Sequence, residues 1–374
     1  MDFNQRPILV FWETTRACLL ACQHCRAEAI DKPLPGELTP DEGIAFIDSL
    51  KGFGARPPVL ILTGGDVLMR QDIFDLVKYA RSQNVPVGLS PSVTPLVTQE
   101  ALQKMRDLSV KSVSISLDGA DAATHEGIRG VDGHFAKTME VLDMMVREGF
   151  TVQVNTTVMR DNVEQLADIA ALLKEVGVPI WEVFFLIKVG RGMDVHELTP
   201  SENEDVSQFL FDASRYNLLV RTVEGPFFRR VAAWRKELAA DVDPAEHFGL
   251  SPLYTRLVDR LREKLGEPGP VAHAQTAGTR DGKGIIFVGY DGDVYPAGFM
   301  PMKLGNVRER SIVDIYRDDP TLVAIRNAEF TGRCGACEFR DLCGGSRARA
   351  FASYQDAFAE DPACVYEPAG ALLS

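Results

Sequence analysis

The sequence contains no apolar run approaching the roughly 18 residues that cross a bilayer, so no membrane span and no membrane partner is expected. Its opening residues, Met1-Asp-Phe-Asn-Gln-Arg6, lack the apolar stretch of a secretory signal, and the expected location is cytoplasmic. Basic residues are outnumbered, 40 Lys and Arg against 53 Asp and Glu, for a formal net charge of −13. A sequence-independent nucleic-acid binder needs cations to compensate phosphate, and this balance argues against one. Internal repeats and low-complexity segments are also missing. Cysteine is sparse, seven in 374 residues, and in a reducing compartment these read as metal ligands rather than disulfides. They fall at 18, 22 and 25 and at 334, 337, 343 and 364, with none left over.

What is present is ordinary globular composition, 45% hydrophobic and 25% charged, enough for a large α/β domain and a smaller one. Short apolar runs at Ile8–Trp12, Val59–Leu62, Pro86–Leu89, Ser112–Ser116, Thr151–Asn155 and Ile180–Phe185 alternate with helical stretches such as Asp41–Leu50, Ile73–Ser82, Lys137–Glu148 and Val163–Val176. That rhythm predicts a parallel sheet of six βα units, either doubly wound or a partial barrel, with chemistry at the C-terminal strand ends. Thr39-Pro40-Asp41-Glu42 and Thr199-Pro200-Ser201-Glu202 read as capping boxes with proline at the first helical position. The expected division is a core at 1–195, a mainly helical connecting region at 196–280, and a C-terminal cluster domain at 281–374. In the last, Asp291-Gly292 predicts a hairpin between Ile285–Gly289 and Asp293–Tyr295.

Cys18-Leu-Leu-Ala-Cys22-Gln-His-Cys25 directly follows the first predicted strand. Three thiolates on one loop can each ligate one corner of a 4Fe–4S cubane, leaving the fourth iron open to a small chelator. Zinc would want a fourth nearby ligand, and His24 inside the loop competes with Cys25 for the same geometry. His24 is instead expected to pack beside the cluster. This spacing resembles that of the radical S-adenosylmethionine (SAM) superfamily, and Trp12-Glu-Thr-Thr-Arg-Ala-Cys18 resembles its haem-biosynthesis branch. The resemblance implies a partial (β/α)6 radical SAM barrel. It also implies reductive cleavage of SAM at the open iron to give a 5′-deoxyadenosyl radical that abstracts hydrogen, with a flavodoxin or ferredoxin as electron donor.

The same resemblance nominates residues for SAM. Thr63-Gly64-Gly65-Asp66 matches the superfamily's Gly-Gly-Glu motif with aspartate in place of glutamate; its glycines permit close backbone approach and Asp66 can accept from an ammonium group. Ser116-Leu-Asp118-Gly119, with His125 and Arg129-Gly130, resembles the Ser-x-Asp-Gly and His-x-x-x-Arg-Gly pattern. That makes Ser116 and Arg129 candidates for the SAM carboxylate and ribose. The competing reading is that Asp118 and Arg129 pair to shape a loop. Ser90, Ser92 and Asn155 also end strands on the expected SAM side, and Phe185, Leu186 and Gly190-Arg191-Gly192 are placed to line adenine, Leu186 being equally compatible with core.

Cys334-Gly-Ala-Cys337-Glu-Phe-Arg-Asp-Leu-Cys343 and Cys364 can close a complete 4Fe–4S site; by themselves they suit structural zinc equally. They resemble the SPASM or twitch domains of radical SAM enzymes. A full SPASM domain has further cysteines where this chain has Arg347 and Ala297, which implies one auxiliary cluster. Gly344-Gly-Ser-Arg-Ala-Arg-Ala350 and Glu360-Asp-Pro-Ala-Cys364 resemble the ends of haem-branch enzymes, the Fe-coproporphyrin III decarboxylase and the haem d1 protein. The expected substrate is therefore an anionic tetrapyrrole. Arg229, Arg230, Arg235, Arg347 and Arg349 are candidate carboxylate partners, weighed against ordinary surface ion pairs, and Phe227-Phe228 is a candidate macrocycle stack, weighed against core. The alternative is radical modification of a ribosomally made peptide, disfavoured by the absence of room for an N-terminal recognition domain.

Overall fold

Runs such as Val59–Thr63 and Ser112–Ser116 are too short and too β-branched for helices, and each is flanked by glycine or polar turns. In the computed structural model, which describes residues 2–239, 241–275 and 278–369, they become strands of a single sheet. The strands are β1 (Leu9–Glu13), β2 (Val59–Thr63), β3 (Val87–Leu89), β4 (Ser112–Ser116), β5 (Thr151–Val158), β6 (Ile180–Phe185), β7 (Leu219–Val223), β8 (Ile285–Val288), β9 (Asp293–Tyr295) and β10 (Gly305–Asn306). Their order is β10-β9-β8-β1-β2-β3-β4-β5-β6-β7. Strand β8 and strands β1 to β7 run parallel, and β9 and β10 antiparallel.

The strands alternate, and this decides between the two architectures. One face carries Val10, Trp12, Leu60, Leu62, Val113, Ile115, Val152, Val154, Trp181, Val183 and Val220, all buried in the main core. The other carries Thr63, Ser114, Ser116, Gln153, Asn155, Glu182 and Arg221, all partly exposed. A doubly wound sheet, covered on both faces, would need apolar residues on both. Helices therefore cover one face, and the polar face is the inside of a partial barrel. Trp12 anchors the covered side, fully buried and edge-on to Phe46 at 5.3 Å.

Both capping boxes form, at Thr39–Glu42 and Thr199–Glu202, starting the helices Pro40–Ser49 and Pro200–Ala213. The hairpin at Asp291-Gly292 forms as β8 and β9. Region 196–280 is mainly helical, and Leu219–Val223 within it extends the barrel as β7 beside β6. From region 281–374, β8 pairs with β1 in parallel, Leu9 opposite Ile285, and joins the same sheet. No described helix is long and apolar enough to cross a membrane.

Candidate active site

The loop after β1 is closed on itself and pinned from three sides. Cys18 N donates to Ile30 O at 2.7 Å, tying the loop's ends together. The turn after β2 lies directly beneath: Gly65 N donates to Thr15 O at 2.8 Å and Asp66 N to Ala17 O at 2.6 Å. A Cβ on Gly65 would stand 2.4 Å from Ala17 O, so glycine is required by the approach of one backbone to another rather than to a ligand. From the third side, Arg191 donates from its backbone to Cys25 O, from Nε to Cys22 O at 2.9 Å and from Nη1 to Ala29 O at 3.1 Å. Sequence reasoning placed Arg191 near adenine; its clamp on the cysteine loop was missed, and only tertiary contact reveals it.

Cys18 and Cys22 are buried and Cys25 is half-buried. Leu20 N donates to Cys18 Sγ at 3.4 Å, Arg129 Nη1 to Cys22 Sγ at 3.5 Å, and Ser92 Oγ lies 3.7 Å from Cys18 Sγ. Burial pushes the Cys18 thiol above its ordinary value, so ionisation there calls for a positive partner such as iron. A 4Fe–4S cluster takes one thiolate per iron, so three thiols leave one iron open and four leave none.

Several residues expected at SAM have other employment. The Asp66 carboxylate is fully buried and accepts from Leu68 N, from Ser92 N and, at 2.7 Å, from Thr94 Oγ1. It fixes the turn under the loop. Arg129 pairs with Asp118, which also accepts from Thr157 N at 2.7 Å. Burial works against the Asp118 charge, but Arg129, with His24 and His125, holds its carboxyl below the usual range. His24 lies 3.7 Å from Asp118, and burial lowers its pKa to about 4, so it is neutral at pH 7. Asp118 N donates to His125 Nδ1, which fixes that nitrogen as an acceptor. His125 Nε2 then donates to His134 Nδ1 at 2.8 Å, and His134 Nε2 to Val93 O. Leu186 is buried with Ile128, Met159 and Val195.

The polar face brings other candidates together. Ser116 pairs in register with Asn155, Asn155 with Glu182, and Glu182 with Arg221, giving one row across β4 to β7. Gln153 Nε2 bridges Asn155 Oδ1 and Glu182 at 2.7 and 2.8 Å, and Ser90 Oγ meets Ser114 Oγ at 2.5 Å. Glu182 and Arg221 were missed because alternation marks a face only once its strands are paired.

Cys334, Cys337, Cys343 and Cys364 all line one cavity with Phe227, Arg230 and Tyr366. Asp361 N donates to Cys334 Sγ at 3.3 Å, Phe339 N to Cys337 Sγ at 3.4 Å and Gly345 N to Cys343 Sγ at 3.5 Å. Burial pushes the Cys343 thiol up to about 12 and Cys364 up to about 11. The five candidate substrate arginines need correcting, being neither surface pairs nor free. Arg229 donates to Leu342 O and Thr279 O; Arg230 pairs with Glu204 and Arg235 with Asp212. Arg347 is fully buried on Ala357 O, Ala359 O and Cys334 Sγ, while Arg349 pairs with Asp361. Phe227 and Phe228 are core.

Residues 12–197 match the radical SAM superfamily, and residues 280–338 match the SPASM iron–sulfur cluster-binding domain. The chain is 36% identical to the AdoMet-dependent heme synthase of Nitratidesulfovibrio vulgaris, over 96% of this chain and 92% of that protein. It is 32% identical to the Fe-coproporphyrin III synthase of Methanosarcina barkeri, over 96% and 88%. Its fold resembles that of Streptococcus suis SuiB bound to the precursor peptide SuiA, with a TM-score of 0.69 at 15% identity, covering 97% of this chain and 76% of that one.

Proposed function

The chain belongs to the radical SAM superfamily, a SAM- and 4Fe–4S-dependent enzyme with an auxiliary cluster domain, and on that premise we propose that it decarboxylates propionate side chains of an iron-bound coproporphyrin in haem biosynthesis. The observation that carries this reading is the likeness to a heme synthase across 96% of the chain, a span that takes in residues 196–280, where no motif marks the chemistry.

When bound, the first cluster with SAM supplies a 5′-deoxyadenosyl radical, and the second supplies an acceptor for one electron. In this reading Cys18, Cys22 and Cys25 hold the first cluster, and Cys334, Cys337, Cys343 and Cys364 the second. Arg191, Gly64, Gly65 and Asp66 fix the first loop, and the Asp118–Arg129 pair steadies Cys22. Ser90, Ser116 and Asn155 face the nucleoside, while Leu186 and its apolar neighbours keep water from it. The substrate propionate loses a hydrogen atom from the carbon next to the ring, then carbon dioxide and one electron, and ends as a vinyl group. The hydrogen ends in 5′-deoxyadenosine, and a cluster held by Cys334, Cys337, Cys343 and Cys364 would take up the surplus electron. A flavodoxin or ferredoxin supplies the electron that starts the cycle.

The test is anaerobic reconstitution with iron and sulfide, then SAM, dithionite and Fe-coproporphyrin III. Carbon dioxide and vinyl products, absent from a Cys18→Ala control, are expected; 5′-deoxyadenosine with an unchanged porphyrin would overturn the substrate. Peptide modification stands second, since the likeness to SuiB extends to the fold alone.

A further inference from the structure

With the five expected arginines consumed internally, the anionic substrate proposed above needs another cation. Arg221 is the outlier. Among the described residues, every other arginine that is buried or half-buried has a hydrogen bond or ion pair from the chain itself. Arg221 makes neither: it meets the Glu182 carboxylate only through space, and its Nε is buried without a hydrogen-bond partner. A bidentate carboxylate would satisfy the fork that Glu182 leaves open.

Its placement indicates whose carboxylate. Arg221 ends the row begun by Ser116 and Asn155, on the inner face, with Glu182 as its register neighbour on β6. Strand β7 is an edge of the sheet, six strands from β1 and its cysteine loop. The chain after β7 runs to the tail cavity, which Phe227 and Arg230 line. Arg221 is thus joined in register to the nucleoside candidates on one side and, through six to nine residues of chain, to the lining of the second cysteine group on the other.

We propose that Arg221 anchors a carboxylate of the substrate inside the barrel and so selects for anionic side chains. The inference rests on the tetrapyrrole reading for the substrate's identity. SAM also carries a carboxylate, and the test separates the two sources. Reconstituted holoenzyme is titrated with Fe-coproporphyrin III by absorbance, without reductant, and separately with SAM by calorimetry. Arg221→Gln is expected to weaken porphyrin binding about 10- to 100-fold, the scale of a lost charged hydrogen bond. SAM affinity should stay within about twofold, and Arg221→Lys should recover part of the loss. Matching iron content and circular dichroism establish that both variants fold. Weakened SAM binding with unchanged porphyrin binding, or no change in either, overturns the role of Arg221 while leaving the substrate reading intact. Failure of the unaltered enzyme to bind the porphyrin brings down the substrate reading and this inference with it.

Discussion

The two cysteine groups are built on opposite plans. The first sits on a loop held mainly by backbone: Cys18 N to Ile30 O, Gly65 N to Thr15 O and the Arg191 clamp all secure main-chain atoms. Its third thiol, Cys25, is half-buried, as are Cys334, Cys337 and Cys364 of the second group. The second group lines a cavity with the side chains of Arg230 and Tyr366, and Arg347 donates to Cys334 Sγ. Three thiols leave one iron of a cubane without a protein ligand, where a small molecule can bind, and four leave none, which suits a site that only exchanges electrons. The difference separates making a radical from disposing of its electron.

The sharpest way to break that division is to remove one thiol from each. Cys18→Ala is expected to abolish 5′-deoxyadenosine formation, while Cys334→Ala leaves SAM cleavage within a few-fold and abolishes vinyl product. Chromatography of both products checks it, and equal loss of SAM cleavage in the two variants would erase the distinction. Next, Gly65→Ala forces a Cβ to 2.4 Å from Ala17 O and should destabilise the protein by about 3 kcal/mol. Thermal melting reads the loss. Arg191→Ala should then lower iron bound at the first group and slow SAM cleavage about tenfold, with the tail cluster's electron paramagnetic signal intact. The smallest effect concerns His125, which accepts from Asp118 N beside the first group. Burial lowers its pKa to about 3 from an ordinary 6.5. The stability it contributes is complete above pH 6.5 and declines as pH falls from there toward 3, since the unfolded chain takes the proton first. A pH series of melting temperatures should slope downward through that window, and His125→Asn should flatten it.

Much of this was legible. Cysteine spacing, capping boxes and alternating apolar runs are local signals, and they mark both cysteine groups, the helix starts and six strands. Strand β7 was not, although Val220, Thr222 and Val223 are β-branched, because so short a run among helical stretches gains its role only by pairing with β6. The arginines misled for a related reason. Arg230 meets Glu204 and Arg235 meets Asp212 between the helices on either side of β7, and nothing in the local sequence tells a paired guanidinium from a free one. Asp66 was correctly marked as special, yet its oxygens turn toward Leu68, Ser92 and Thr94, a choice made by backbone geometry.

The parallel pairing of β1 with β8 has a consequence for how the protein is made. Residues 9–12 gain their second neighbour from residues 285–288, so the strand that leads into Cys18 stays an open edge until most of the chain has left the ribosome. Such distant pairing closes late and folds slowly. Iron delivered before that moment would meet a cysteine loop whose leading strand is paired on one side only.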